Sequence, residues 1–423
     1  MSVVVSVEQV GPCRKELKVE VPAPAVEAEL ERVAAEYGRK ARVPGFRKGK
    51  VPAAMVRRHF REEIEKEAVE RLVPRYWRQA QAETRVEPML PPEVRDVELR
   101  PGSPLTFTAT VETRPEFELR NVRDFSLPEL DVRPGPDEVE RAVDDLRGKL
   151  AEWPPAGRPA ARGDRVEGKV AELSSIVGPD GVAAPSGEPQ AAVFEIGDPA
   201  VWEELSLAAT GLSAGRATDF ERKTQEGEIA RVRRYRLQVD AVGERRLPPA
   251  DDAFAQRVGK FESLEALKTD LSERIGAAKR LERRRRREQA VLDQLRERHP
   301  MELPPGVVES EQEHLLRDYA EGLAERGIDP AKTEIDWQGL AAEVKPQAER
   351  RVHSRILLDA IAEAEGVAVG EDEFEAALAS IARVERRSPA EVRQALDRAG
   401  RLAALRAQLR REKTLRRLTG DET

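Results

Sequence analysis

Cysteine is almost absent from this chain. Cys13 stands alone, so no internal disulfide can form and the fold needs no oxidising compartment. Aromatic residues are scarce at 4%, in a chain where 36% of residues are charged. That balance is too polar for one large enzyme core, while the Leu, Ala and Val content excludes wholesale disorder. Long apolar runs are missing too: none approaches the ~18 residues that a membrane helix needs. Met1 to Glu8 lacks the basic and long apolar regions of a signal peptide and reads as a strand, so a cytosolic protein is expected. The four histidines, His59, His299, His314 and His353, are isolated, with no His-Glu-x-x-His spacing. Each is expected on a solvated helix face. There is no Gly-x-x-x-x-Gly-Lys-Ser/Thr phosphate loop, and no metal or other cofactor is expected.

What is present is unevenly distributed. The formal net charge is −7, which argues against general coating of nucleic acid. Yet Arg39, Lys40, Arg42, Arg47, Lys48, Lys50, Arg57, Arg58 and Arg61 follow one another without an intervening Asp or Glu. Within that stretch lies Gly45-Phe46-Arg47-Lys48-Gly49-Lys50-Val51-Pro52, after Pro44. Gly costs backbone entropy and Pro removes a donor, so the string interrupts the helical patterns on either side and is expected to project. One aromatic among cations has the composition of a surface anchor for an anionic partner. A second basic run, Arg283 to Arg287, is flanked by Glu282 and Glu288 and reads as a solvated helix.

At 423 residues, two to four domains are expected. Residues 1–115 read as a ββααββ unit. A hairpin turns at Gly11-Pro12, a helix runs from Pro24 to about Lys40, and a second from Pro52 carries Met55, Val56, Phe60, Ile64, Ala68 and Leu72; alternating runs near 94–99 and 105–111 close the unit. Residues 116–155 form a linking segment with a helix through Val139, Val143 and Leu146, ended by Trp153-Pro154-Pro155. Short β-like runs split by Gly and Pro fill 156–246, up to Leu247-Pro248-Pro249. From there to residue 423 the pattern is helical, with Ser263 as an N-cap and a capping box at Ser388 to Glu391. The expected fold class is multi-domain α+β with an all-α C-terminal part. Gly211-Leu212-Ser213-Ala214-Gly215 matches the nucleophile elbow of hydrolases, but a helical piece precedes it and a β run follows, the reverse of what that elbow needs.

The string from Gly45 to Pro52 closely resembles the ribosome-binding signature of bacterial trigger factor, and the order of segments resembles that family end to end. The resemblance implies an ATP-independent chaperone whose N-terminal domain docks on the large ribosomal subunit at the tunnel exit, touching protein and rRNA. It gives Gly45, Phe46, Arg47, Lys48, Gly49, Lys50 and Pro52 as the ribosome-binding residues. Nascent and unfolded polypeptides would be the other partners, held by helical arms of the C-terminal domain, with a weak homodimer off the ribosome as a further expectation and no membrane.

In that family 156–246 corresponds to an inserted FKBP-like prolyl isomerase domain, whose aromatic bowl desolvates the X–Pro amide. Asp164-Arg165-Val166, Phe194-Glu195-Ile196-Gly197 and the turn at 211–215 resemble its framework. The bowl looks dismantled. Lys169-Val170 stands where the family has Asp-Phe, Trp202-Glu203-Glu204-Leu205-Ser206 where it has Ile-Pro-Gly-Phe-Glu, and the flap is cut to about Thr224 to Gly227. Val170, Phe194, Trp202, Leu205 and Tyr235 remain as pocket candidates. They are expected to serve the domain core, with Glu203 and Glu204 hydrating the former site. Weak or absent isomerase activity is expected, with no catalytic residue assigned. An active prolyl cis–trans isomerase acting on nascent chains is the alternative, decided by whether an aromatic bowl survives. A periplasmic chaperone would need a signal peptide.

Overall fold

A computed structural model describes residues 4–40, 52–100, 102–177, 183–186, 188–226 and 229–420. They divide into two compact units, Met1–Glu129 with Arg284–Thr423, and Leu130–Arg283.

The first unit opens with the expected hairpin, β1 (Val4–Gly11) and β2 (Arg14–Val21), then α1 (Ala23–Lys40). Two helices follow where one was expected, α2 (Ala53–His59) and α3 (Arg61–Thr84), before β3 (Glu93–Glu98) and β4 (Leu105–Glu112). The sheet is antiparallel in the order β1-β2-β4-β3. Alternation sends Leu17, Val19 and Val21 to the same face as Leu105, Phe107, Ala109 and Val111, where Val26 of α1 and Leu72, Tyr76 and Trp77 of α3 cover them. The expected single helix breaks at Phe60, whose backbone turns to φ −120°, ψ 37° while its N–H still bonds the Val56 carbonyl at 2.9 Å. Its ring lies 5.8 Å from that of Tyr37 and joins a separate cluster of Val33, Val56, Ile64 and Ala68. Apolar periodicity continued through this residue because both helices bury the same face.

The second unit begins with α4 (Pro136–Lys149). Its sheet contains β5 (Arg165–Val177), β6 (Ala183–Pro185), β7 (Gln190–Glu195), β8 (Ala217–Glu226) and β9 (Ile229–Gly243), with α5 (Glu203–Ala209) between β7 and β8. The long β5 pairs with β9 along one edge and with β7 and then β6 along the other, all antiparallel. A register shift at Glu167–Gly168 requires the glycine, because a Cβ there would collide with the Gln238 carbonyl. Leu205 and Ala209 of α5 pack over Val166, Phe194, Leu237 and Val239. Gly211 and Gly215, at φ +83° and +82°, turn the chain from α5 into β8, so the hydrolase-like string is a turn. The buried Asp164 opens β5. Burial would raise its pKa, but the Arg158 guanidinium at 2.6 and 3.1 Å and the Ala161 N–H at 2.8 Å outweigh that and hold it below the usual carboxylate range. α6 (Asp252–Val258), which the sequence pattern did not separate, and the start of α7 (Leu264–Arg298) share a core with α4 through Val143, Phe254 and Leu267.

The division between units falls within α7. Beyond it come α8 (Pro305–Glu325), α9 (Trp337–Ala364), α10 (Glu371–Glu385), α11 (Pro389–Arg398) and α12 (Leu402–Thr419). The capping box at Ser388 forms as expected, its Oγ accepting from the Glu391 N–H at 3.3 Å. An extended stretch through Phe117, Leu119, Val122, Phe125 and Leu127 packs on Val291, Leu295, Leu357 and Ile361. Within this unit the N-terminal sheet is tied to the C-terminal helices. The Glu112 carboxylate accepts from the Gly306 and Val307 N–H groups at 2.8 and 3.0 Å, satisfying two orphan donors at the start of α8.

Two histidines are not on solvated faces. His299 is only 3% exposed; its Nε2 accepts from the Arg120 N–H at 2.8 Å, which leaves Nδ1 to donate to the Leu295 carbonyl at 2.8 Å. His353 is half-buried, and its Nε2 donates to the His299 carbonyl at 2.8 Å. Burial holds its pKa below the ordinary histidine value. Helical periodicity could not foresee this, because the partners come from the 117–127 stretch and from a neighbouring helix.

Candidate functional site

Two places carry the residues singled out from sequence. The first is the basic stretch. Of its candidates, Gly45, Phe46, Arg47, Lys48, Gly49 and Lys50 lie outside the described residues; Pro52 is described, exposed, and caps α2. Its fixed φ near −60° suits that position, and no donor is lost where no intrahelical partner exists. α1, α2 and α3 hold this region through Val33, Val56, Ile64 and Ala68. Two of the flanking cations are partly neutralised. Arg57 donates to Glu27 at 2.7 Å and Arg61 to Glu65 at 2.8 Å. Beside them a groove of about 600 Å³ is lined by Leu30, Ile64 and Leu99 together with Arg57, Arg58 and Arg61. Arg58 is exposed.

The second place is in the sheet of the other unit. A cavity of about 670 Å³ is lined by all five pocket candidates, Val170, Phe194, Trp202, Leu205 and Tyr235. β5 supplies Val170, β7 Phe194, β9 Tyr235, and the start of α5 Trp202 and Leu205. Phe194 and Leu205 also serve the core, at 8% and 7% exposure. Trp202 does not turn inward as expected: it is 37% exposed. Its ring lies 5.5 Å from that of Tyr235, and the Arg222 guanidinium covers it at 3.8 Å from the ring centroid. Behind Tyr235, Phe220 stacks at 5.6 Å and 25°. Arg222 and Phe220 were not singled out from sequence. Their signal was available in part, since Phe220 and Tyr235 face each other across the β8–β9 register.

Glu203 and Glu204 are not in the lining. They sit in the first turn of α5, where carboxylates suit the positive end of a helix. Among the described residues the acidic and amide groups that line the cavity are Glu172, Glu188 and Gln190. Glu172 pairs with Arg233 at 3.6 Å. The cavity thus joins an apolar and aromatic part to a wet, anionic one. It can accept an apolar side chain or a prolyl ring, while the carboxylates keep water near any amide bound with it. Among the described residues no group of three or more His, Cys, Asp or Glu is placed to hold a metal ion, and no helix is long and apolar enough to cross a membrane.

Comparison with known proteins gives the family and the fold. A family model described as "Bacterial trigger factor protein (TF)" matches residues 3–146, and one described as "Bacterial trigger factor protein (TF) C-terminus" matches residues 263–419. The chain is 32% identical over 427 residues to the trigger factor of Nocardia farcinica (strain IFM 10152), covering 99% of this chain and 90% of that one. It is 28% identical over 409 residues to the trigger factor of Solibacter usitatus (strain Ellin6076), covering 95% and 96%. A solved structure from work described as "Promiscuous Substrate Recognition in Folding and Assembly Activities of the Trigger Factor Chaperone" shares the fold at a TM-score of 0.51 and 21% identity, over 98% of this chain and 99% of that one.

Proposed function

The chain belongs to the trigger factor family, and from that premise we propose that it is a cytosolic, ribosome-associated, ATP-independent chaperone for nascent polypeptides. One observation carries the proposal: a Gly-Phe-Arg-Lys-Gly-Lys-Val-Pro string inside an uninterrupted basic stretch of an otherwise acidic chain. Gly45, Phe46, Arg47, Lys48, Gly49, Lys50 and Pro52 form the anchor to protein and rRNA at the tunnel exit. Docking there raises the local concentration of weak client-binding surfaces near each emerging chain, so release needs no nucleotide. Co-sedimentation of the whole chain with ribosomes tests this, and pelleting no greater than that of an unrelated acidic protein would refute it.

The domain assignment is part of the same reading: 1–115 docks, 116–155 links, 156–246 is an insertion, and 247–423 holds clients. Support for the insertion comes from its ends, which lie side by side through the bridges Glu152 to Arg246 and Pro155 to Gly243. Removal of about residues 160–245 is therefore expected to leave a folded chain that still suppresses aggregation of an unfolded client. An insoluble or inactive deletion would count against this layout.

The inserted domain is proposed to bind prolyl and apolar segments while isomerising them poorly. Catalysis requires stronger binding of the twisted amide than of the planar one, in a site that excludes water. Trp202 and Tyr235 offer an apolar wall, but Glu172, Glu188 and Gln190 line the same cavity. In a protease-coupled peptide assay the expected rate is near background, with peptide binding weakened by Trp202→Ala. A fast rate, lost on Trp202→Ala, would favour the active isomerase instead.

A further inference from the structure

A cleft among the C-terminal helices has a chemistry that neither anchoring nor prolyl binding uses. Residues of α7, α9 and α12 enclose a cavity of about 510 Å³. Its apolar lining is Leu292, Leu358 and Leu415. Around them stand five arginines, Arg296, Arg350, Arg351, Arg355 and Arg411, and among the described residues Glu412 is the one carboxylate in the lining.

The carboxylates behind these arginines are too few to match them. Arg296 pairs with Asp293 and donates to the Ser354 hydroxyl at 2.7 Å. Glu311 is divided between Arg351 at 3.3 Å and Arg355 at 3.7 Å. Asp359 is divided between Arg411 at 3.1 Å and Arg410 at 3.8 Å. Glu412 lies 3.9 Å from Arg416. Among the described residues no carboxylate lies within ion-pair distance of the exposed Arg350. Burial first, and the charge of Arg350 besides, push the Arg296 guanidinium below the usual arginine range; burial with Arg411 and Arg114 does the same to Arg355. Arginine stays protonated at neutral pH even so, and the cleft keeps an excess of positive charge.

We propose that this cleft holds acidic polypeptide segments in which Asp or Glu side chains alternate with apolar ones. The inference rests on the reading of the chain as a polypeptide-binding chaperone and names one client chemistry for it. Guanidinium forks match carboxylates bidentately. The three leucines would find no use for an inorganic anion but would cover the apolar residues of such a segment, and desolvation there strengthens the ionic contacts.

Fluorescence anisotropy of the full chain with labelled short peptides tests this, using one that alternates Leu with Glu and counterparts with Gln or Lys in place of Glu. The Glu peptide is expected to bind about tenfold or more tighter than the Gln peptide at low salt, and the Lys peptide more weakly still. Arg350→Glu with Arg351→Glu is expected to weaken the Glu peptide by about tenfold or more. Arg317→Glu with Arg326→Glu makes the same charge change at exposed arginines outside the lining and is expected to leave binding within about twofold. Equal binding of Glu and Gln peptides by the unaltered chain, or equal loss in the two double variants, would overturn the proposal. Should the Glu peptide fail while an unfolded client without acidic segments is still kept soluble, the cleft inference alone falls. Should both fail, the chaperone reading falls with it.

Discussion

Replacement of Phe46, Arg47 and Lys48 together by alanine is expected to abolish co-sedimentation with ribosomes while leaving the fold intact. The argument is one of charge and place. The Gly and Pro of this string are poor helix formers, and helices α1, α2 and α3 share a core of Val33, Val56, Ile64 and Ala68. Arg57 and Arg61 already answer to Glu27 and Glu65. The cations of the string carry no acidic neighbour in sequence. Contacts to rRNA phosphates release counterions, so docking of the unaltered chain is expected to weaken steeply with salt. Removing two cations should lower the salt slope of any residual binding by roughly two. Under the proposed docking, loss of Phe46 is expected to remove an apolar contact that would fix register. Unchanged pelleting of the triple variant at moderate salt would disprove the assignment of these residues.

The second large effect separates docking from folding. Phe107 is 2% exposed at the centre of the N-terminal sheet, among Leu17, Val19, Leu72 and Trp77. Phe107→Ala removes the whole phenyl ring from a packed site that can collapse only in part, at a cost of about 3–5 kcal/mol. Amide exchange in β2 and β4 should then accelerate by roughly two to four orders of magnitude, because protection of core strands follows the opening free energy. The anchor variant should show no such change. Protection in β2 and β4 that survives Phe107→Ala would mean that this ring does not organise the domain.

Local patterns carried the framework. Alternation in 15–21 and 105–111 gave the strands and the face each buries, since period two admits only one inward set. Pro and Gly marked the turns at 11–12 and 211–215, and Ser388 with Glu391 marked a helix start. The five residues that line the cavity were found through the resemblance to the family's aromatic bowl, whereas the anchor string lies outside the described residues and stands as a proposal. The two basic runs were weighed by their neighbours in sequence, whereas the arginine cleft joins three helices and so had no local signature.

What the tertiary structure decided are the features whose partners are distant in sequence. At the break, the Phe60 ring meets Tyr37 of another helix. His299 is buried because the 117–127 stretch covers it and the Arg120 N–H finds its ring. Trp202 was expected inward, but its place at the start of α5 leaves it at the cavity with Tyr235 and Arg222 around it. Among the described residues the cavity's acids proved to be Glu172 and Glu188 in place of Glu203 and Glu204, since a helix start carries the latter pair away from the lining. Periodicity reports which face of an element is apolar. Which residue of another element meets that face is set by packing alone, and burial, pairing and charge at each site follow from that meeting.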